Sequence, residues 1–440
     1  MKNNILFFTL LFFHNLLPAQ TISKQIDSVV DYCSRHFSFE GVVLVTDNRK
    51  KVYSRAVGYA NREWNIKNSA DVKFRLGSIS KQFAGYILFT LVQEGKLNWE
   101  DKVCQWLPQL CGEEKRNITI SDLIHHTSGL SNYTGLANFN EQEFYPKDSI
   151  IQIISKAPLV FPPGSRFSYS NSNFYLAGIL AEKASGTLYD SLLLHRAFIP
   201  AGMHHSGLDH EGLVLQNRAT GYIHEDGKVS NAGYLNVENP FSAGAMYSTA
   251  NDLWRWLIFF QKQLAANTKL QQLLRTSMAG KDTNMYAAGW CNLNNQFFHT
   301  GHINGFANII SMDTLHHRSV IILSNTEFKQ LYVLRETIVS ILDRKKNVLK
   351  WMTEKIPAKE MDQYTETFKR AGTELVIKNE NGRLKGSIRN RPMEFFHFDK
   401  DRFFNSALDG IITFERNKNN EIAGIKTFQS YAYQRYEKLK

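Results

Sequence analysis

The first 340 residues carry strand patterns only near their two ends, with a long helical stretch between, and this limits the fold more than any other feature. Residues 41–46 and 51–59 flank the turn segment Asp47-Asn48-Arg49-Lys50, which predicts a β-hairpin. Strand patterns return at 287–290, 297–301, 307–312 and 320–323, followed by a helix over 330–345. A sheet can then form only by bringing both ends together around an inserted helical block of residues 98–270, an α+β arrangement. Before the hairpin, Ile22, Ile26, Val29, Val30 and Cys33 recur at helical spacing and predict an amphipathic helix over 21–36.

Beyond the charged segment Asp343-Arg344-Lys345-Lys346-Asn347 the texture changes. Residues 347–362, with Pro357, read as a linker, and 363–440 as a small all-β domain of short strands, including the Asn381-Gly382 turn. At the other end a single basic residue, Lys2, precedes the apolar run 5–13 and a small residue at Ala19. That is the pattern of a signal peptide over 1–19, removed after Ala19. The main domain is then 20–346, and the protein is expected to be periplasmic or secreted.

The chemistry centres on Ser78-Ile79-Ser80-Lys81. Phe83, Ile87, Leu88, Leu91 and Val92 follow at helical spacing and Gly95 supplies a stop, so Ser78 is expected at the first turn of a buried helix. Residues three apart share a helix face, which puts the Lys81 amine within reach of the Ser78 hydroxyl. Burial among apolar neighbours lowers a lysine pKa and lets it serve as a base. Further along, Asn117 to Leu130 reads as a capped short helix that stops at Gly129, and residues 242–253 as a glycine-containing bend followed by a capped helix.

Three pieces stand in order: Ser78-x-x-Lys81, Tyr169-Ser170-Asn171 and His299-Thr300-Gly301. With the stretches His126-Thr127-Ser128-Gly129-Leu130 and Gly244-Ala245-Met246-Tyr247-Ser248-Thr249, this order resembles the penicillin-recognising serine hydrolases over residues 38–340, in particular class C β-lactamases and secreted D-Ala-D-Ala carboxypeptidases. Tyr59-Ala60-Asn61 and His210-Glu211-Gly212 fit two of the triplets alone but fall outside the order. The resemblance implies a β-lactamase/transpeptidase-like antiparallel sheet with an inserted helical block, followed by a lipocalin-like β-domain.

It also implies roles. Ser78 forms an acyl-enzyme, Lys81 takes its proton, and Tyr169 relays a proton to the leaving nitrogen or activates the second nucleophile. Asn171 holds a substrate amide, and the strand bearing His299, Thr300 and Gly301 lies along the substrate, with Gly301 permitting close approach. The backbone N–H groups of Ser78 and His302 form the oxyanion hole. The third motif departs from the Lys-Thr-Gly usual in class C β-lactamases. His299 is expected to be a weaker, pH-dependent carboxylate anchor, which favours D-amino-acid peptidase or esterase chemistry over β-lactam hydrolysis. The alternatives are a class C-like β-lactamase or esterase, and, in another class, a catalytically silent penicillin-binding sensor. Every motif precedes residue 350, so the C-terminal domain is expected to stand apart from the site, covering apolar surface of the main domain or else binding a ligand.

The formal net charge of +11 is spread along the chain. In an exported protein that reads as peripheral association with the anionic envelope and not as nucleic-acid binding; the partner expected is a small-molecule or peptidoglycan-type peptide substrate. Four cysteines are too few for a disulfide framework, and Cys104 and Cys111 are either bridged or buried free thiols. No Cys/His spacing suggests a metal site, and no cofactor is expected.

Overall fold

The structure, a computed structural model, describes residues 16–225, 227–276, 286–293, 295–352, 358–370, 372–388, 391–405, 411–429 and 431–439. Residues 1–15, which hold the apolar run of the expected signal segment, lie outside it. Helix α1 (Leu16–Phe37) buries Ile26, Val29, Val30 and Cys33 completely. The hairpin follows as β1 (Gly41–Asp47) and β2 (Lys50–Val57), with Asn48 and Arg49 in the left-handed region at its tip. A short strand β3 (Phe74–Arg75) passes through a 3-10 turn (Gly77–Ser80) into α2 (Lys81–Gln93). Phe83, Ile87, Leu88 and Leu91 of α2 are fully buried, and Phe83 stacks on Trp256 at a centroid distance of 4.2 Å.

The inserted block contributes α3 (Ile120–Ile124), α4 (Asn171–Ser185), strand β4 (Gly207–Leu208), α5 (Phe241–Gly244), strand β5 (Met246–Ser248) and α6 (Ala250–Ala266). The main sheet resumes with β6 (Tyr286–Ala287), β7 (Trp290–Leu293), β8 (Gln296–Ile303), β9 (Phe306–Asp313) and β10 (Arg318–Ser324), and α7 (Leu331–Leu342) packs back onto it. The seven strands run in the order β6-β7-β8-β9-β10-β1-β2, all antiparallel. Pairing of β1 with β10, from Gly41 opposite Ser324 to Thr46 opposite Ser319, joins the two ends as the strand distribution requires.

Two local expectations are corrected. The helix expected to stop at Gly129 ends at Ile124, because His126 takes a left-handed φ of 57° and Thr127 bonds back to Asp122 through both its N–H and its hydroxyl. The bend at 242–253 contains a strand, β5, which pairs with β3 and β4 in a small sheet beside the Ser78 turn. A strand so short shows no alternation that could reveal it.

The C-terminal part is a closed antiparallel barrel of β11 (Thr367–Arg370), β12 (Thr373–Glu380), β13 (Arg383–Ile388), β14 (Arg391–Asp399), β15 (Arg402–Asn405), β16 (Ile411–Arg416), β17 (Ile422–Gln429) and β18 (Ala432–Lys438). Phe368, Leu375, Leu384, Phe403, Phe414 and Ile425 fill its interior, so a packed core occupies the space where a wider barrel would hold a ligand. Its outer aromatic residues dock on the main body. Phe37 meets Phe396 and Phe404 edge-on at 5.7 and 6.0 Å, and Trp351 meets Phe404 at 5.7 Å. All four cysteines are free thiols; Cys104 and Cys111 are not bridged. Among the described residues no helix is long and apolar enough to cross a membrane, and no group of three or more His, Cys, Asp or Glu is placed to hold a metal.

Candidate active site

The site forms where the Ser78 turn presses against strand β8. Two glycines make that contact possible. A Cβ on Gly301 would lie 1.9 Å from the Leu76 carbonyl oxygen, and one on Gly77 would lie 2.8 to 2.9 Å from backbone atoms of His302. Gly301 was expected to clear space for substrate; what it clears space for is the turn that bears the nucleophile. The fully buried Asn308 fastens the junction, with its Nδ2 donating to the Arg75 carbonyl at 2.9 Å and its Oδ1 accepting from Ser324 N–H at 3.2 Å. Gly301→Ala is expected to force strand and turn apart. It should lower stability by about 2 kcal/mol and kcat/KM by about 100-fold, read by thermal unfolding and turnover on the same samples.

Lys81 is fully buried, and its Nζ lies 2.9 Å from Ser78 Oγ, 2.8 Å from Asn171 Oδ1 and 2.7 Å from the Ala243 carbonyl. Burial holds its pKa well below the ordinary lysine value, and among the described residues no ion pair reaches it. A neutral amine has two N–H donors and one lone pair. The two carbonyl-type acceptors take the N–H groups, and the lone pair is left for the Ser78 proton. Ser78 itself is half-buried and so remains open to a ligand.

Asn171 sits at the start of α4. Its oxygen serves Lys81, while its Nδ2 donates to Thr134 Oγ1 at 3.1 Å and its backbone N–H to Asn132 Oδ1 at 3.0 Å. In this arrangement it positions Lys81; the amide expected to hold substrate is already engaged at both ends. Tyr169 packs with its ring 5.0 Å from Lys81 Nζ. Its hydroxyl is buried and finds no partner at ordinary hydrogen-bond length among the described residues. Burial raises the phenol pKa, and the nearby Ser78 hydroxyl offsets part of that rise.

His126 holds the Tyr169 segment in place. Its Nδ1 accepts from Ser170 N–H at 3.2 Å and Asn173 Nδ2 at 2.9 Å, and its ring lies 4.4 Å from that of Tyr169. Burial, and then the nearby Lys81, His299 and His125, keep it neutral.

The third motif departs most from expectation. His299 is fully buried, with Nε2 2.8 Å from Tyr286 Oη and Nδ1 2.5 Å from the Thr300 carbonyl and 2.9 Å from Tyr431 Oη. The Thr300 carbonyl only accepts, so Nδ1 carries the proton and Nε2 accepts from Tyr286. Burial, with Lys81 nearby, drives the His299 pKa well below its ordinary value. A protonated His299 anchoring a carboxylate is therefore replaced by a neutral, doubly bonded imidazole. Thr300 is engaged too: its N–H and Oγ1 lie 3.0 and 2.7 Å from Tyr431 Oη. Tyr431 belongs to the β17–β18 turn of the barrel, so the C-terminal domain does not stand apart from the site. His302 follows on β8, exposed at its edge.

Comparison with known proteins gives the family and the fold. The chain is 24% identical over 436 residues to penicillin-binding protein 4* of Bacillus subtilis, covering 90% of this chain and 94% of that protein. Its fold is similar to that of the octameric penicillin-binding protein homologue from Pyrococcus abyssi (TM-score 0.68, 18% identity, 95% of this chain and 100% of the other). It is also similar to that of a D-stereospecific amidohydrolase from Streptomyces sp. (TM-score 0.57, 22% identity, 65% and 89%). Residues 27–340, the span that holds Ser78, Lys81, Tyr169 and strand β8, match the family model described as Beta-lactamase, and the chain belongs to that family.

Proposed function

We propose that the protein is an exported serine hydrolase that forms an acyl-enzyme on Ser78 with D-amino-acid peptides or related amides and esters. The observation that carries this is the buried, neutral Lys81 amine 2.9 Å from Ser78 Oγ, with its remaining hydrogens committed to Asn171 and Ala243. Ser78 Oγ attacks the carbonyl carbon as its proton passes to Lys81 Nζ. The developing oxyanion meets the backbone N–H groups of Ser78 and His302, whose closeness Gly77 and Gly301 permit. The C–N or C–O bond then breaks, and the leaving atom takes a proton by way of Tyr169. Water repeats the attack on the ester so formed, releasing the acid and free Ser78.

Two relatives support the substrate class. One is named for binding penicillin, a strained amide, and the other for hydrolysing amides with D-stereospecificity. Export is supported by the apolar run near the N-terminus, and peripheral contact with an anionic envelope by the net charge of +11. Matched D- and L-alanine amides and esters, assayed beside a cephalosporin, test the reading. The expected result is a D-over-L preference of at least about 10-fold in kcat/KM, equivalent to about 1.4 kcal/mol. Equal turnover of the enantiomers, or turnover of the cephalosporin alone, would contradict it.

A further inference from the structure

Among the described residues, Tyr431 is the side chain that the barrel brings into the site. Tyr431 is 5% exposed and sits at the tip of the β17–β18 hairpin with a φ of 63°, a left-handed conformation that is a genuine outlier for a bulky residue and persists where surrounding contacts hold it. Those contacts belong to the main domain. Its ring lies 4.5 Å from His299, 5.3 Å from Tyr169 and 5.3 Å from Tyr286. Its hydroxyl meets all three polar groups of Thr300: N–H at 3.0 Å, Oγ1 at 2.7 Å and the carbonyl at 3.2 Å.

What Thr300 would otherwise bind follows from strand geometry. Among the described residues β8 pairs with β7 only through Gln296, Phe297 and Phe298, so the stretch of β8 beyond them runs past β7 beside the Ser78 turn. The Thr300 N–H points off that stretch, toward Tyr431. Strand groups repeat their direction every second residue, so the His302 N–H points the same way, about 7 Å further along. A substrate with its scissile carbonyl at His302 can extend along the strand to Thr300. Tyr169, which hands a proton to the leaving atom, lies against Tyr431, so this is the leaving-group side.

We infer that Tyr431 is a specificity residue: it fills the leaving-group end of the site, holds Thr300, and selects against substrates whose leaving group carries its own carboxylate. The favoured substrates are then D-amino-acid esters and amides with small, uncharged leaving groups, and a free C-terminal D-amino acid is a poor leaving group. This deepens, and rests on, the reading of Ser78 as the acylated nucleophile.

Two probes of Ser78 separate the claims on the full-length chain. An alkyl fluorophosphonate gives up only fluoride, whereas a fluorescent penicillin carries a carboxylate beside its leaving nitrogen. Second-order rates of labelling are read by intact mass for the wild type, Tyr431→Phe and Tyr431→Ala. The expected result is that the penicillin-to-fluorophosphonate rate ratio rises at least 10-fold in Tyr431→Ala. It should rise by a smaller amount in Tyr431→Phe, which keeps the ring, needs no refilling of the cavity and loses only the grip on Thr300. An unchanged or lower ratio in both variants would overturn the role of Tyr431 while leaving the nucleophile in place. Failure of the fluorophosphonate to label the folded wild type would overturn the reading of Ser78 itself, and this inference with it.

Discussion

Ser78→Ala is expected to abolish acyl-enzyme formation and lower kcat/KM by about 10⁴- to 10⁶-fold, the scale of loss when a nucleophile is removed from a site whose parts act together. The fold should survive. Ser78 is half-buried on a 3-10 turn, and the change removes one hydrogen bond to an amine that keeps its contacts with Asn171 and the Ala243 carbonyl. Stability should change by only about 1 kcal/mol. Intact mass after exposure to an acylating substrate, with circular dichroism and thermal unfolding on the same protein, checks both parts. Turnover near the wild-type rate in a folded Ser78→Ala sample would mean that another group does the attacking.

The second large effect belongs to Lys81. Without a nearby amine the Ser78 hydroxyl is a weak nucleophile at neutral pH, so Lys81→Ala should cost about 10³-fold or more in kcat/KM. In the wild type the sign of the pH dependence follows from burial. Protonation of Lys81 removes the base, so activity falls as pH drops through the lysine's depressed pKa and rises to a plateau above it. That rise should lie at lower pH than an ordinary lysine would place it. His299 adds no falling limb, because the buried imidazole is already neutral across the same range. An anionic peptide and a neutral ester should therefore show the same single rise in kcat/KM against pH. A bell confined to the anionic substrate would restore a protonated His299 to substrate binding.

The central sheet was legible because its strands are runs of apolar and β-branched residues long enough to show, and because their positions at both ends of the domain leave one way to close it. The Ser78–Lys81 pair was legible because a three-residue spacing on a helix sets a distance. Other features were hidden for physical reasons. The environment of His299 is decided by Tyr431, 132 residues away, and no local pattern carries a contact between a strand edge and the turn of a distant barrel. The purpose of Gly301 depends on the carbonyl of Leu76, which approaches only in the folded chain. The closing strands of the barrel, β11 and β18, alternate weakly: β11 offers Phe368 among Thr, Lys and Arg, and β18 intersperses its tyrosines with charged residues. His126 stands in one of the stretches that carry the resemblance, yet nothing in the sequence says that it holds the Tyr169 segment.

The identity of the acylated atom decides the mechanism most directly. Incubating the full-length wild type with a fluorophosphonate, digesting it and locating the adduct by tandem mass spectrometry reads that atom without assuming a substrate. One adduct is expected, on Ser78, forming faster as pH rises through the range in which Lys81 loses its proton. An adduct on any other residue, or none on a folded protein at the pH of the plateau, would contradict the mechanism.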